Sequence, residues 1–472
     1  MRRMFPDLIR VDPSHPCHPW PPLFFLLLAV YPARAQARFD ELEKVALEEL
    51  KETGTPGAAL AVVSGDRVVY ARGFGVASVE TGTPVTPEML FRLGSTTKMF
   101  TGAALVKLAE AGKIKLDAPL GDAVTGLHPA LARLTPHQLL SNSSGLRDFA
   151  PPFVSHDDAA LSRMVREWKE EVFFGEPGQI YSYSSAGFWL SGYVVEELTK
   201  RPYADAMSEL LFEPLGMART TFRPHLAMTY PLALGHAAEG QGPAAVIRPA
   251  FNNVAMWPAG SIFSSARDLS RFVIAFLNGG RVDGRQVLSP TLISRLQARH
   301  VMIPGGGDTH YGYGLLNFTY RGVRVVMHGG FSRGYGSMIQ MAPERRFAVI
   351  ALTNRSGVTL GRTVGRAMEL GLELGAEAAA RTAPPALLTE SEVADFAGVY
   401  LHEPMRWEIF AREGRLHLRQ EGREFPLTRT GARQFSFGPG GESEIVLIPG
   451  PGGKVEYLFS NIYAARKVTG RG

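Results

Sequence analysis

Cysteine is all but missing from these 472 residues, with Cys17 standing alone. No internal disulfide can form, and packing has to supply the stability. Strong charge of one sign is also missing: the formal net charge is +5, and Arg2, Arg3, Arg10 and Arg34 sit in an N-terminal segment with only Asp7 and Asp12. No basic stripe interleaves with aromatics, so the chain carries no nucleic-acid signature. A zinc-type H-E-x-x-H, a close histidine pair and a Cys-His set are all absent, and Gly305-Gly306-Gly307 lacks the lysine and the strand-to-helix setting of a phosphate loop. Neither a metal nor another cofactor is therefore expected.

Long apolar runs are scarce as well. Leu23 to Val30 is too short to cross a bilayer. With the preceding arginines and the small-x-small signal Ala33-Arg34-Ala35 it predicts a leader over 1–37, and hence an exported, periplasmic or extracellular protein without a stable membrane span. Cys17 precedes the apolar run, so the mature chain would hold no thiol and no cysteine nucleophile.

What is present suits a large globular protein: 45% apolar and 20% charged residues, with a mean hydropathy near zero. A single core rarely grows past about 300 residues, so one large domain and a smaller one are expected. Apolar spacing predicts a helix over 39–53, and Ser64-Gly65-Asp66 between two β-prone runs predicts a hairpin. Helical patterns dominate the middle, including Met99 to Ala111 and Phe188 to Thr199. Strands return over Tyr311 to Tyr320, Val323 to His328, Gly336 to Ala342 and Phe347 to Thr353, followed by a helix from Leu360 to Leu374. The fold class is α+β: an antiparallel sheet closed by the two ends of a domain over 38–378 and flanked by helices, with a helical subdomain. A linker over 379–389, with Pro384-Pro385, leads to short β-rich runs about ten residues apart, which predict a small all-β barrel over 390–472.

Ser95-Thr96-Thr97-Lys98 opens the helix of the first half. One turn separates the hydroxyl from the amine, so both share a face. A serine hydroxyl is a poor nucleophile until a neighbour takes its proton, and the helix N-terminus helps to hold developing negative charge. Tyr183 lies in a turn before a helix and would act as a base if nearby cations lowered its pKa from about 10. His328-Gly329-Gly330 ends a strand, where the glycines let a ligand lie against the backbone.

In their order and spacing these motifs resemble those of the serine β-lactamase and penicillin-binding protein superfamily, specifically the class C β-lactamase-like branch of esterases, D-aminopeptidases and DD-carboxypeptidases. The phrases Phe91-Arg92-Leu93-Gly94-Ser95, Ser141-Asn142-Ser143-Ser144-Gly145-Leu146, Pro258-Ala259-Gly260-Ser261 and Tyr311-Gly312-Tyr313-Gly314 carry the likeness over about residues 40 to 375. The resemblance implies Ser95 as acylated nucleophile, Lys98 as its proton shuttle, Tyr183 as activator or leaving-group acid, and His328 in the place of the third-motif base. It further implies an oxyanion hole from the N–H groups of Ser95 and Phe331, and substrate contacts at Ser185, Gly329 and Gly330. The terminal barrel resembles the lipocalin-like domain of some members.

Two positions depart from the pattern. Ser185 replaces an asparagine amide that can bind an acylamide, and Gly329 lacks the hydroxyl that holds a penicillin-type carboxylate. The expected substrate is a small ester or a short peptide, D-residues included, ahead of a β-lactam. Outside catalysis, the same pocket would suit a weakly active binder of cell-wall peptides. Because a histidine titrates near neutrality, His328 is expected to make activity change between about pH 5.5 and 7.5. Gly330-Phe331-Ser332-Arg333-Gly334 matches a nucleophile elbow in letters, but a strand pattern follows where that elbow needs a helix. No subunit count is implied.

Overall fold

The computed structural model describes residues 39–151, 153–238, 242–376 and 387–468. The expected leader, 1–37, and most of the expected linker lie outside the described residues. Residues 39–53 are helical, and the helix stops at Gly54, which takes φ 61°. From Val45 onward the chain forms one compact unit.

Its main sheet begins with β1 (Gly57–Ser64) and β2 (Arg67–Gly75). Ser64 faces Arg67 across the two-residue turn Gly65-Asp66, in which Gly65 adopts φ 67°. Six more strands follow the helical middle: β3 (Val301–Met302), β4 (His310–Tyr311), β5 (Leu316–Tyr320), β6 (Val323–Ser332), β7 (Tyr335–Ala342) and β8 (Phe347–Thr353). The order is β2-β1-β8-β7-β6-β5-β4-β3, antiparallel at every pairing. The first and last strands of the domain thus lie side by side, as the sequence pattern predicts.

The expected single strand over 311–320 is broken. The chain turns at 312–315, where Gly312 N–H donates to the Leu315 carbonyl and Gly314 takes φ 75°. A Cβ on Gly314 would come within 2.6 Å of the Lys98 carbonyl, so this turn tucks tightly against the helix that carries the lysine.

That helix is α1 (Thr97–Glu110), and α2 (Ser185–Thr199) packs against it. Most of α1 is buried all round, which explains why its sequence lacks a clear polar face. Helices α3 (Ala266–Leu277) and α4 (Gly361–Gly371) pack on β1 and β8 and on β8 and β7, respectively. Strand β8, Phe-Ala-Val-Ile-Ala-Leu-Thr, is buried at every residue, the pattern of a strand covered on both faces.

Beyond a short helix, α5 (Glu390–Phe396), capped by a reciprocal Thr389–Glu392 box, nine antiparallel strands between Gly398 and Lys467 form one curled sheet. Its two edge strands, Arg423–Pro426 and Thr428–Arg429, are joined by Leu427 alone, and the sheet is nearly closed as a barrel. Trp407, Ile409, Leu418, Phe435 and Leu447 fill its interior. Its last hairpin, β9 (Val455–Ser460) and β10 (Tyr463–Lys467), faces two ways. Leu458 and Ala465 join the barrel core, whereas Tyr457, Phe459 and Ala464 join the core of the larger domain.

Candidate active site

The site is built where the edge of β6 meets the start of α1. Gly94, at φ 57°, bends the chain into a single 3-10 turn, Gly94–Thr96, ahead of the helix. A Cβ on Gly94 would fall 2.4 to 2.6 Å from backbone atoms of Phe331, and one on Gly330 would fall 1.9 Å from the Leu93 carbonyl oxygen. Only glycine at both positions lets the turn holding Ser95 and the strand holding Phe331 lie in contact. The oxyanion arrangement expected of Ser95 and Phe331 requires this proximity.

Ser95 is partly exposed, whereas Lys98 is 0% exposed. Three residues apart in the same turn, they meet with Nζ 3.0 Å from Oγ. Nζ also donates to the Ala259 carbonyl at 2.9 Å, and the rings of Tyr183 and Phe188 lie 4.8 and 5.6 Å from it. Burial among these groups lowers the Lys98 pKa to about 7, with the Asp148 charge opposing the fall. Near neutrality the amine is thus half deprotonated and able to accept the serine proton.

Tyr183 enters from the turn before α2, whose N-terminus is fixed by Ser184 Oγ accepting from the Gly187 N–H at 3.2 Å. The Tyr183 side chain lies near Ser95, whose hydroxyl favours its ionised form. Against the sequence expectation, its pKa is not lowered: burial pushes it well above 10, and the neighbouring Ser95 hydroxyl only partly offsets that. The group is a phenol at neutral pH and a donor of protons rather than a resident base.

His328 requires a second correction. It lies inside β6 rather than at a strand end, because the strand continues to Ser332. Its Nδ1 faces the Gly329 carbonyl, and its Nε2 accepts from the Tyr311 hydroxyl at 3.1 Å. The imidazole ring lies 6.4 Å from the Tyr183 ring, centroid to centroid. Burial first, and the nearby Lys98 charge second, lower its pKa to about 3. It remains neutral across pH 5.5 to 7.5, so the titration expected of it there belongs instead to Lys98.

The remaining sequence candidates are placed as follows. Ser185 opens α2 and lines a cavity beside Ser95, and its N–H donates to Asp148 Oδ1 at 2.8 Å. Phe331 stands 60% exposed at the cavity rim. Gly329 has room: the nearest atom to an added Cβ is Met338 Cε at 3.5 Å. Residues 330–332 belong to β6 and Arg333-Gly334 turn the chain directly into β7, with no helix after them, which removes the nucleophile-elbow alternative.

Three residues escaped the sequence. Asp148 holds the α2 N-terminus and acts on Lys98 through its charge. Tyr311, from the Tyr-Gly-Tyr-Gly phrase, donates to His328 Nε2, whose tautomer is fixed by the Gly329 carbonyl at Nδ1. Tyr463, from the barrel, donates to Asp148 Oδ2 at 3.0 Å. Asp148 lies two residues past the Ser-Ser-Gly-Leu phrase and Tyr311 inside a quoted one, so both had a local signal. Nothing local marks Tyr463.

An activated serine on a helix start, beside a buried lysine and a tyrosine at the edge of an antiparallel sheet, defines a serine hydrolase of the penicillin-recognising fold. The chain belongs to the beta-lactamase family, whose pattern, described as Beta-lactamase, matches residues 39–372. Over 386 residues it is 30% identical to "Penicillin-binding protein 4" of Amycolatopsis lactamdurans, covering 79% of this chain and 98% of that protein. In three dimensions it is similar to SurE with D-Leu, at TM-score 0.74 and 24% identity over 93% of this chain and 100% of the other. It is also similar to the D-amino acid amidase of Ochrobactrum anthropi SV3 complexed with L-phenylalanine amide, at TM-score 0.58 and 24% identity, covering 70% of this chain and 98% of that one.

Proposed function

We propose that this serine hydrolase works through an acyl-enzyme on Ser95 and acts on esters or short peptides and amides, D-residues included. The observation that carries it is the wholly buried Lys98 amine 3.0 Å from the Ser95 hydroxyl, with its pKa brought to about 7. As Oγ attacks the carbonyl carbon, its proton passes to neutral Lys98, and the carbonyl oxygen takes the negative charge. The Ser95 and Phe331 N–H groups are assigned to that oxygen. When the carbon to leaving-group bond breaks, the leaving atom takes a proton through Tyr183, which is refilled from Lys98. Water then adds to the ester with Lys98 accepting its proton, and Lys98 returns that proton to Ser95 Oγ as the acyl carbon–Oγ bond breaks. His328 is neutral throughout and serves as a fixed polar wall, held by Tyr311.

The missing hydroxyl at Gly329 and the missing amide at Ser185 favour esters and peptides over penicillins. The relative named a penicillin-binding protein, and neighbours solved with D-leucine and as a D-amino acid amidase, support the family of substrates. We place the reaction outside the cytoplasm on the strength of the leader pattern over 1–37.

A panel of p-nitrophenyl esters, D-alanine p-nitroanilide and nitrocefin tests this. Wild type should turn over an ester or the anilide faster than nitrocefin, and Ser95→Ala should fall to background with all three. Turnover that survives Ser95→Ala would remove the acyl-enzyme assignment.

A further inference from the structure

Beside Ser95 lies a cavity of about 420 Å³ whose walls are largely apolar, with Trp189, Phe251, Met256 and Phe331 among them. Three of the polar groups in its lining have no hydrogen-bond partner although their atoms are buried: Arg92 Nε, the Trp189 indole N–H and the Ser332 hydroxyl. Arg92 is the most unusual of them. It is 6% exposed, and among the described residues no carboxylate pairs with it. One terminal nitrogen donates to the Phe251 carbonyl, the other to Ser261 Oγ at 3.1 Å, and the guanidinium rests 5.4 Å from the Phe263 ring centre.

Neutral acceptors and a ring face leave a buried cation short of a counter-charge, and the unused Nε–H costs further free energy. Burial lowers the Arg92 pKa only to about 10, so the group stays charged. A second cation, Arg333, stands exposed at the mouth of the same cavity. Buried polar groups without protein partners, clustered beside a nucleophile, are groups waiting for a ligand. Tyr183 and Lys98, which serve the leaving group, are not among the walls, so the cavity belongs to the acyl half of the substrate.

We propose that this cavity selects acyl groups that end in a carboxylate. The carboxylate would meet Arg92 and Ser332, Arg333 would add its charge from the mouth, and the carbon spacer would lie on Trp189 and Phe251. The proposal rests on Ser95 as nucleophile.

The test compares p-nitrophenyl hemiadipate with p-nitrophenyl hexanoate, equal in chain length and different only in the terminal carboxylate. Wild type should prefer the hemiadipate in kcat/KM by tenfold or more. Arg92→Gln should bring that ratio towards one, and Ser332→Ala should lower it several-fold, which keeps the test open if the arginine variant does not fold. Equal or better use of the hexanoate ester by wild type would overturn the proposal. Binding to Ser95→Ala protein, followed by tryptophan fluorescence, separates the two ideas. Monomethyl adipate should bind more tightly than methyl hexanoate even without a nucleophile, and equal binding would again count against the subsite. Failure of Ser95 to label with a fluorophosphonate, with that binding preference intact, would sink only the nucleophile assignment.

Discussion

The hydroxyl of Tyr463, near the C-terminal end of the chain, donates to Asp148 Oδ2 at 3.0 Å, and the other oxygen of that carboxylate takes the Ser185 N–H at 2.8 Å. The barrel therefore reaches the segment that presents Tyr183. Two further hydrogen bonds reinforce it: Tyr183 N–H donates to the Ile462 carbonyl at 2.9 Å, and Ala464 N–H to Ser182 Oγ at 3.1 Å. A hydrogen bond to a charged group contributes about 1.5–3 kcal/mol. Tyr463→Phe, which keeps the ring, should lower stability by about 1–2 kcal/mol in urea unfolding and slow ester acylation by roughly three- to tenfold. An unchanged acylation rate would limit the contact to stability.

The pH profile follows from Lys98. The amine must be neutral to accept the serine proton, so acylation should rise with pH through a midpoint near 7 and level off above it. His328, with its pKa near 3, adds no step in this range. The negative charge of Asp148 favours the ammonium form, so Asp148→Asn should move the midpoint below 7. Rates measured from pH 5 to 9 check both; an upward shift in the variant would reverse the assigned sign.

Gly329 offers a gain-of-function test. An added Cβ there meets nothing closer than 3.5 Å, and a β-branched residue suits a strand. Gly329→Thr should fold with unchanged or slightly raised stability and restore the hydroxyl that a penicillin carboxylate uses. Acylation by a fluorescent penicillin should accelerate about tenfold, the order expected of one well-placed hydrogen bond. No change would place the obstacle to β-lactams elsewhere, with Ser185 the next position to vary.

Removal of the barrel should not leave a working catalytic domain. Tyr457, Phe459 and Ala464 belong to the larger core, and the Phe459 ring lies 6.0 Å from that of Tyr181. A chain ending at residue 376 would expose this surface and leave the Tyr183 N–H and the Ser182 hydroxyl without their barrel partners. It should expose apolar surface to a dye such as ANS and lose fluorophosphonate labelling at Ser95. A soluble, fully active truncation would contradict the shared core.

How far the sequence reaches into this protein depends on how local each feature is. Ser95 and Lys98 are legible because helical spacing alone brings positions three apart together. The sheet is legible because β1 and β8 announce themselves as dense apolar runs at the two ends of a domain. The ionisation states are not, since they depend on what is packed around each group. Tyr183 stays a phenol and His328 stays neutral because distant residues bury them, Tyr311 only after the chain turns at Gly314. Arg92 reads as part of a family phrase, and its lack of a carboxylate partner is visible only in three dimensions.

The contacts between the β9–β10 hairpin and Ser182-Tyr183 also bear on biosynthesis. Synthesis runs from the N-terminus, and domains fold as their residues emerge. Here the segment presenting the phenol waits for Ile462 and Ala464, made long after it, so a nascent chain stays inert until the last barrel hairpin has emerged.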